Sequence, residues 1–394
     1  MKQTGDDARL QEFARRIDAI RARVEADLGA KDAAYIRRVR RFSVAMEITG
    51  RALIHVSLDP VTFSAGVVAL WLHKQLEATE IGHTALHGAF DRLPGCDDLA
   101  ARGFRWKTPI DEEAWHQGHN IRHHQYTNIA GRDPDIRYGG IRLNRRTPHK
   151  RHHRWQPLMT AVSWSHFAAG MNLRFTGAEE VLSRDEPYDF LPDRSPASVR
   201  AAWRRALRKF VPYYARELVL FPALAGPGFA KVALGNWLSE VMRDVYSAAT
   251  IFCGHVGEQV ADYPAGTRAG GRGQWYRMQV EASNDFEVPL PVSMLCGALD
   301  RQIEHHLFPR FPTNRLREIA PEVRQACADC GVSYRTDSWP RTLARALKRI
   351  WELRLPDPPP AGVPLQAGAA EDAQPQAGAA GLVAEPHEAL VAAG

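Results

Sequence analysis

Cysteine is scarce in this 394-residue chain. Five residues at irregular spacing give no disulfide framework and point to a reducing compartment. Long apolar runs are missing too: no window reaches the roughly 18–20 uninterrupted apolar residues that would mark a membrane span unaided, and the mean hydropathy is −0.35. The N-terminal MKQTGDDARLQEFARR lacks the apolar stretch of a secretory leader and reads as an amphipathic helix. No His-Pro-Gly-Gly haem motif occurs. The glycines of GTRAGGRGQW have neither the spacing nor the strand-flanked setting of a dinucleotide fingerprint. Nothing of zinc-finger or RNA-recognition type supports a nucleic-acid partner.

What is present is length for a sizeable core, a net charge of +6 and clustered bases. Arg37-Arg38-Val39-Arg40-Arg41, Arg145-Arg146, the run His149 to Arg154 and the run Arg200 to Lys209 are local patches. They flank apolar stretches, as on the cytoplasmic face of a membrane protein, or form ordinary solvated surface. Two zones, about 43–79 and 210–255, each read as a helical hairpin broken by Asp59-Pro60 or Pro227-Gly228. Each also carries charge, with Glu47 and Arg51 four apart and Arg216 beside Glu217. Such groups are costly in lipid unless paired. The expected organisation is an N-terminal amphipathic, basic helical extension over 1–42, a main helical domain over 43–345, and a Pro/Ala-rich disordered tail over 356–394.

The 16 histidines are not scattered. His83 and His87 lie in EIGHTALHGAF at i and i+4, on one helix face. His119, His123 and His124 lie in GHNIRHHQYTN, and His305 and His306 close QIEHH with Gln302 four before the last. His255 stands alone in IFCGHVGE. Imidazole is the commonest metal ligand, and helical i,i+4 pairs let two nitrogens meet one ion. One such pair is ordinarily plain surface; three clustered boxes in one chain are not. Eight histidines suffice for two ions and exceed one four-ligand zinc site. The boxes contain no cysteine, which argues against structural zinc and iron–sulfur clusters and leaves iron, copper or zinc in nitrogen-rich sites.

The boxes His83-xxx-His87, His119-xxx-His123-His124 and Gln302-xx-His305-His306 resemble those of the integral membrane fatty acid desaturases. The stretches LHKQLEATEIGHTALHGAFD, GHNIRHHQYTNIAGRDPDIRYG, FCGHVGE and QIEHHLFPRFPTNR are similar to bacterial acyl-chain desaturases of the actinobacterial delta-9 type, over roughly residues 45–335. The resemblance implies an all-α fold: an integral membrane stem of about four transmembrane helices in two hairpins, with a cytoplasmic helical cap around a di-metal site. It implies two iron ions (Fe2+/Fe3+), O2 as co-substrate, and a long acyl substrate linked to coenzyme A or lipid. It further implies a multi-pass place in the bacterial inner membrane with the site facing the cytoplasm, in contact with the lipid bilayer. With no electron-transfer domain in the chain, a ferredoxin-like carrier or flavoprotein is expected as external donor. The ligand roles carry over to His83, His87, His119, His123, His124, His255, His305 and His306. Gln302 replaces a histidine of other branches and could bind through its carbonyl, through water, or not at all. Glu80, Asn120, Asp300 and Asn284 are candidates for supporting the ligands from behind. Asp133 and Asp135 match a recurrent acidic pair, against a simple turn before Pro134.

Three rivals remain. A hydroxylase shares the boxes and differs in product. A soluble di-iron carboxylate bundle would use Glu80-xx-His83 and Glu113-xx-His116, leaving the other boxes idle. A non-catalytic metal-binding protein would consume no acyl substrate.

Overall fold

Helices carry the described structure, which in this computed structural model comprises residues 2–183, 189–257 and 259–357, and eleven of them matter here. They are α1 (Lys2–Asp27), α2 (Ala30–Val56), α3 (Pro60–Leu76), α4 (Gln156–Ser165), α5 (Phe167–Phe175), α6 (Pro196–Ala215), α7 (Phe229–His255), α8 (Arg272–Glu281), α9 (Gln302–Leu307), α10 (Thr313–Cys330) and α11 (Trp339–Glu352). Two three-residue strands, β1 (Asp285–Glu287) and β2 (Thr336–Ser338), pair in parallel with Asp285 opposite Thr336. The expected tail lies, from residue 358, outside the described residues.

Local chemistry explains the helix starts. Asp59 caps α3, its carboxylate accepting from the amides of Val61 and Thr62 at 2.9 Å, with Pro60 preset at the first helical position. Ser195 and Pro196 do the same for α6. The N-terminal α1 buries Phe13, Ile17, Ile20 and Val24 in one apolar cluster with Leu307, Phe308, Leu316, Ile319 and Val323. The residues following the QIEHH box therefore rest on the first helix of the chain. Arg315 fastens this join, reaching Asp32 at 2.7 Å and Asp27 at 2.8 Å.

Among the described residues, no helix is long and apolar enough to cross a membrane. This overturns the expected stem of about four transmembrane helices. Both hairpins do form, α2–α3 through Ser57–Asp59 and α6–α7 through residues 216–228. Their helices carry too many ionic groups along their length: Arg37 to Arg51 on α2, His73-Lys74 at the end of the 17-residue α3, and Lys231, Glu240, Arg243 and Asp244 on α7. The inner charges satisfy one another. Lys74 sits between Glu217, at 2.8 Å, and Glu240, while Arg51 bridges Glu47 at 3.1 Å and Glu217 at 3.0 Å. Arg243 holds Glu240 at 2.7 Å and Asp244 at 2.8 Å. Buried ions persist only when paired in this way.

Candidate metal centre

Two of the histidine boxes follow or occupy stretches of π-helix, Glu77–His83 and His116–His123. Such wide turns are rare and concentrate at functional sites. The first is pinned from outside, with Trp106 Nε1 donating to the Glu77 carbonyl at 2.9 Å. The dipeptide Gly-His recurs at 82–83, 118–119 and 254–255, and the missing side chain is used each time. A Cβ on Gly82 would lie 2.0 Å from the Trp106 indole nitrogen, one on Gly118 2.3 Å from Phe175, and one on Gly254 2.8 Å from Gln302. Bulky partners thus press directly on the backbone next to each of these imidazoles.

The fold brings all eight box histidines together. His83, His87, His119 and His305 form one group of convergent nitrogens, and His123, His255 and His306 a second. In the first, His83 Nε2 stands 3.1 Å from His119 Nε2 and 3.2 Å from His87 Nε2. In the second, His255 Nε2 is 3.0 Å from His306 Nε2 and 2.8 Å from Gln302 Nε2. His124 lies between the groups, stacked on His306 at 4.4 Å and edge-on to His87 at 4.7 Å. Nitrogens sharing an ion at bonds of about 2.0–2.1 Å are themselves about 3 Å apart, so the spacing fits. Buried atoms without a hydrogen-bond partner make the same point: both nitrogens of His124, Nε2 of His305 and Oε1 of Gln302. An unpaired buried polar atom is costly, and a cation would satisfy His305 Nε2, Gln302 Oε1 and whichever His124 nitrogen carries the lone pair.

Three outward-facing nitrogens have protein partners, which fix their tautomers. His123 Nδ1 donates to Asp133 at 3.0 Å, His306 Nδ1 to Gln279 Oε1 at 3.0 Å and His255 Nδ1 to the Ala282 carbonyl at 3.3 Å. Asp135 lies 3.5 Å from His123 and 3.7 Å from His119. Asp133 also makes a turn, accepting from the amides of Asn128 at 2.7 Å and Asp135 at 2.9 Å. The turn and the histidine contact are therefore one device. Gln279 and the Ala282 carbonyl escaped the sequence analysis, since nothing local in QVEAS marks them.

The other candidate supports sit elsewhere. Glu80 is fully buried but accepts from Tyr35, Thr313 and Arg317, the last at 2.8 Å, tying the first box to α10. Asn120 Nδ2 donates to the Leu86 carbonyl at 2.7 Å and so joins the first two boxes through backbone. Asp300 accepts from Ser293 Oγ at 2.8 Å. The Asn284 amide donates to the Gly254 carbonyl at 2.9 Å, and its side chain lines a separate polar cleft of about 280 Å3 with Arg324, Arg335 and Arg345. None of these four hydrogen-bonds a histidine ring among the described residues.

Burial holds the imidazoles neutral, the form that binds metal. It lowers His83 and His255 to about 3 and His87, His119, His124, His305 and His306 well below the ordinary value, helped by neighbouring rings. His123 is the exception. Burial opposes its charge, but Asp133 and Asp135 outweigh burial and raise it to about 9. Because Asp133 holds the His123 ring through Nδ1, Asp133→Asn should weaken metal retention roughly 10–100-fold, measured as metal content after dialysis against graded chelator. Retention equal to wild type would remove Asp133 from the centre.

A narrow apolar cavity of about 50 Å3 opens beside this cluster. It touches His83, His119, His123, His255 and Gln302 and continues past Trp106, Trp115 and Ile251. Convergent imidazole nitrogens beside an apolar slot suit metal-assisted chemistry on an apolar substrate.

The sequence profile of the fatty acid desaturase family matches residues 60–338. An NADPH-dependent stearoyl-CoA 9-desaturase of Mycobacterium tuberculosis is 31% identical over 360 residues, covering 89% of this chain and 81% of that protein. More distant relatives include an acyl-lipid (8-3)-desaturase B of Dictyostelium discoideum, 24% identical over 64% of this chain and 55% of that protein. Another is a sn-1 linoleoyl-lipid 6-desaturase of Synechocystis, 22% identical over 71% of this chain and 78% of that protein. With the profile running from α3 through β2 and every box histidine gathered at one point, the chain belongs to the fatty acid desaturase family and is an oxidoreductase acting on fatty acyl chains.

Proposed function

We propose that this protein is an O2-dependent desaturase that places a double bond in a long acyl chain at a di-iron centre, with electrons from an external carrier. The observation that carries the reading is the pair of convergent, buried imidazole groups opening onto one apolar cavity. His83, His87, His119 and His305 would hold one iron, and His123, His255 and His306 the other. His124 stands within reach of both groups, and Gln302 beside the second. Iron bound there would supply O2-activating redox chemistry, which no side chain offers against an unactivated methylene.

The remaining work belongs to the chain. Asp133, Gln279 and the Ala282 carbonyl hold three imidazoles with their metal-facing nitrogens inward. Trp106, Trp115 and Ile251 line the slot, exclude water and fix which carbon pair lies beside the centre. The name of the mycobacterial relative supports an acyl-CoA substrate and a bond at the ninth carbon, and NADPH as the ultimate electron source. The basic run His149 to Arg154 would receive an acidic carrier or the phosphates of coenzyme A. Exposed Val56, Leu58, Val61, Val219, Leu220 and Leu224 at the hairpin turns support contact with lipid, in keeping with a bacterial inner-membrane location whose site faces the cytoplasm.

Glu113 and His116 are exposed and Glu80 is engaged by Arg317, which disfavours a di-iron carboxylate site. Expression in a desaturase-deficient host, followed by gas chromatography–mass spectrometry of derivatised fatty acids, should yield a monounsaturated product. A hydroxy acid would replace the reading with hydroxylation, and no oxygen-dependent product would overturn it.

A further inference from the structure

Arg243, Ser247, Ile251 and His255 recur every fourth residue on α7, so they form one face of that helix. All four line the apolar cavity. At a rise of about 1.5 Å per residue, the face runs roughly 18 Å from the metal centre to Arg243. Phe167 and Ala168, at the start of α5, line the same cavity, and the Ala168 amide donates to Asp244. An apolar slot therefore ends on an ion pair.

That ion pair is held from several sides. Asp244 Oδ1 accepts from Arg243 Nε at 3.0 Å and Nη2 at 2.8 Å, and from the Ala168 amide at 3.3 Å. Arg243 Nη1 donates to Tyr213 at 3.1 Å, and Nη2 reaches Glu240 at 2.7 Å. Lys74 in turn pairs with Glu240 and Glu217. Arg243 is 1% exposed and Asp244 2%. A wall of aliphatic side chains yields to an extra methylene by changing rotamers. A wall of interlocked buried ions yields only by unpairing charges where no water can replace the partner.

We propose that Arg243 and Asp244 are the floor of the acyl slot and set the longest chain segment accepted beyond the metal centre. The inference rests on the acyl desaturase reading and adds the element that determines chain length. Ser247, one turn above the floor, is the position at which added bulk shortens the slot. Apolar substitution of the floor pair should deepen it, because interlocked ions are replaced by side chains that can rotate.

The test offers aerobic membranes of a desaturase-deficient host that carry wild type, Ser247→Phe or the double variant Arg243→Met/Asp244→Leu, supplied with NADPH, a ferredoxin and its reductase, an equimolar mixture of myristoyl-, stearoyl- and arachidoyl-CoA. Unsaturated products are counted by mass spectrometry. Ratios of products from one tube do not depend on how much protein folds or carries iron. Ser247→Phe should raise the myristoyl-to-stearoyl ratio at least about tenfold, the effect of excluding one or more methylenes. The double variant should raise the arachidoyl-to-stearoyl ratio in the same measurement. Ser247 also donates to Gln75 at 3.3 Å, so should Ser247→Phe fail to fold, the double variant decides alone. Ratios within about twofold of wild type, well below one methylene's worth, would overturn the floor while leaving the desaturase reading intact. If wild type makes no unsaturated product from any of the three, the reading itself fails, and the floor with it.

Discussion

His305→Ala is expected to abolish acyl desaturation and to strip metal from the protein. His305 lies 4.8 Å from the rings of His83 and His124 and 4.9 Å from that of His87, and its Nε2 is buried without a partner. Removing a residue behind a ligand typically lowers metal affinity about 10–100-fold, so losing a proposed ligand should exceed about 100-fold on the same scale. Alanine also leaves the neutral imidazoles of His83, His87 and His124 facing the space that the His305 ring filled. Iron per chain and unsaturated product in a desaturase-deficient host should fall together. His166→Ala is the matched control, because His166 is exposed and, among the described residues, its ring hydrogen-bonds Ser165 and the Val162 carbonyl rather than any box histidine. A His305→Ala protein with wild-type iron and product would remove the third box from the centre.

Lys74→Met should be the most damaging substitution away from the histidines. The ammonium is 3% exposed and pairs with both Glu217 and Glu240. Methionine preserves most of the volume, so the loss is one of charge. It leaves two buried carboxylates competing for Arg51 and Arg243, and breaking a buried pair in this way costs about 3–5 kcal/mol. Burial opposes ionisation of Glu217, yet Lys74 and Arg51 together hold its carboxyl well below its ordinary value of 4.5. A depressed carboxylate contributes stability that is present above that value and is lost as pH falls through the folded one. The deficit of Lys74→Met should accordingly be full at neutral pH and shrink in acid, where Glu217 protonates more readily in the variant. Chemical unfolding at neutral and acidic pH measures both parts. Equal stability of the two proteins at neutral pH would show that the network adds nothing net.

Both effects arise from contacts that differ greatly in how far they can be read along the chain. His83 and His87, or His123 and His124, announce themselves because their neighbours in space are also neighbours in sequence. Three helical turns with ligand spacing are visible without any fold. The partners of those ligands are not. His255 meets His306 across 51 residues, and Gln279 reaches His306 across 27. Glu80 illustrates the converse. Its position one turn before His83 pointed to the centre, but the π-helical turn and the pull of Arg317 carry its carboxylate to α10 instead. The apolar zones were legible as hairpins. Their expected passage through a membrane was not sustained: among the described residues no helix is long and apolar enough to cross one, because Arg51, Lys74, Glu217, Glu240 and Arg243 interrupt the apolar stretches.

The residues alone pointed to the chemistry of this protein: imidazole-rich and cysteine-free boxes that suit a redox metal. Those properties belong to side-chain types and to helical periodicity, which are written locally. Only the tertiary structure divided the histidines into two groups, chose Asp133 and Gln279 to orient them, and ended the apolar slot on Arg243 and Asp244. Each of those outcomes depends on contacts between distant segments, and these leave no periodic trace in the chain because packing, not spacing, brings the partners together.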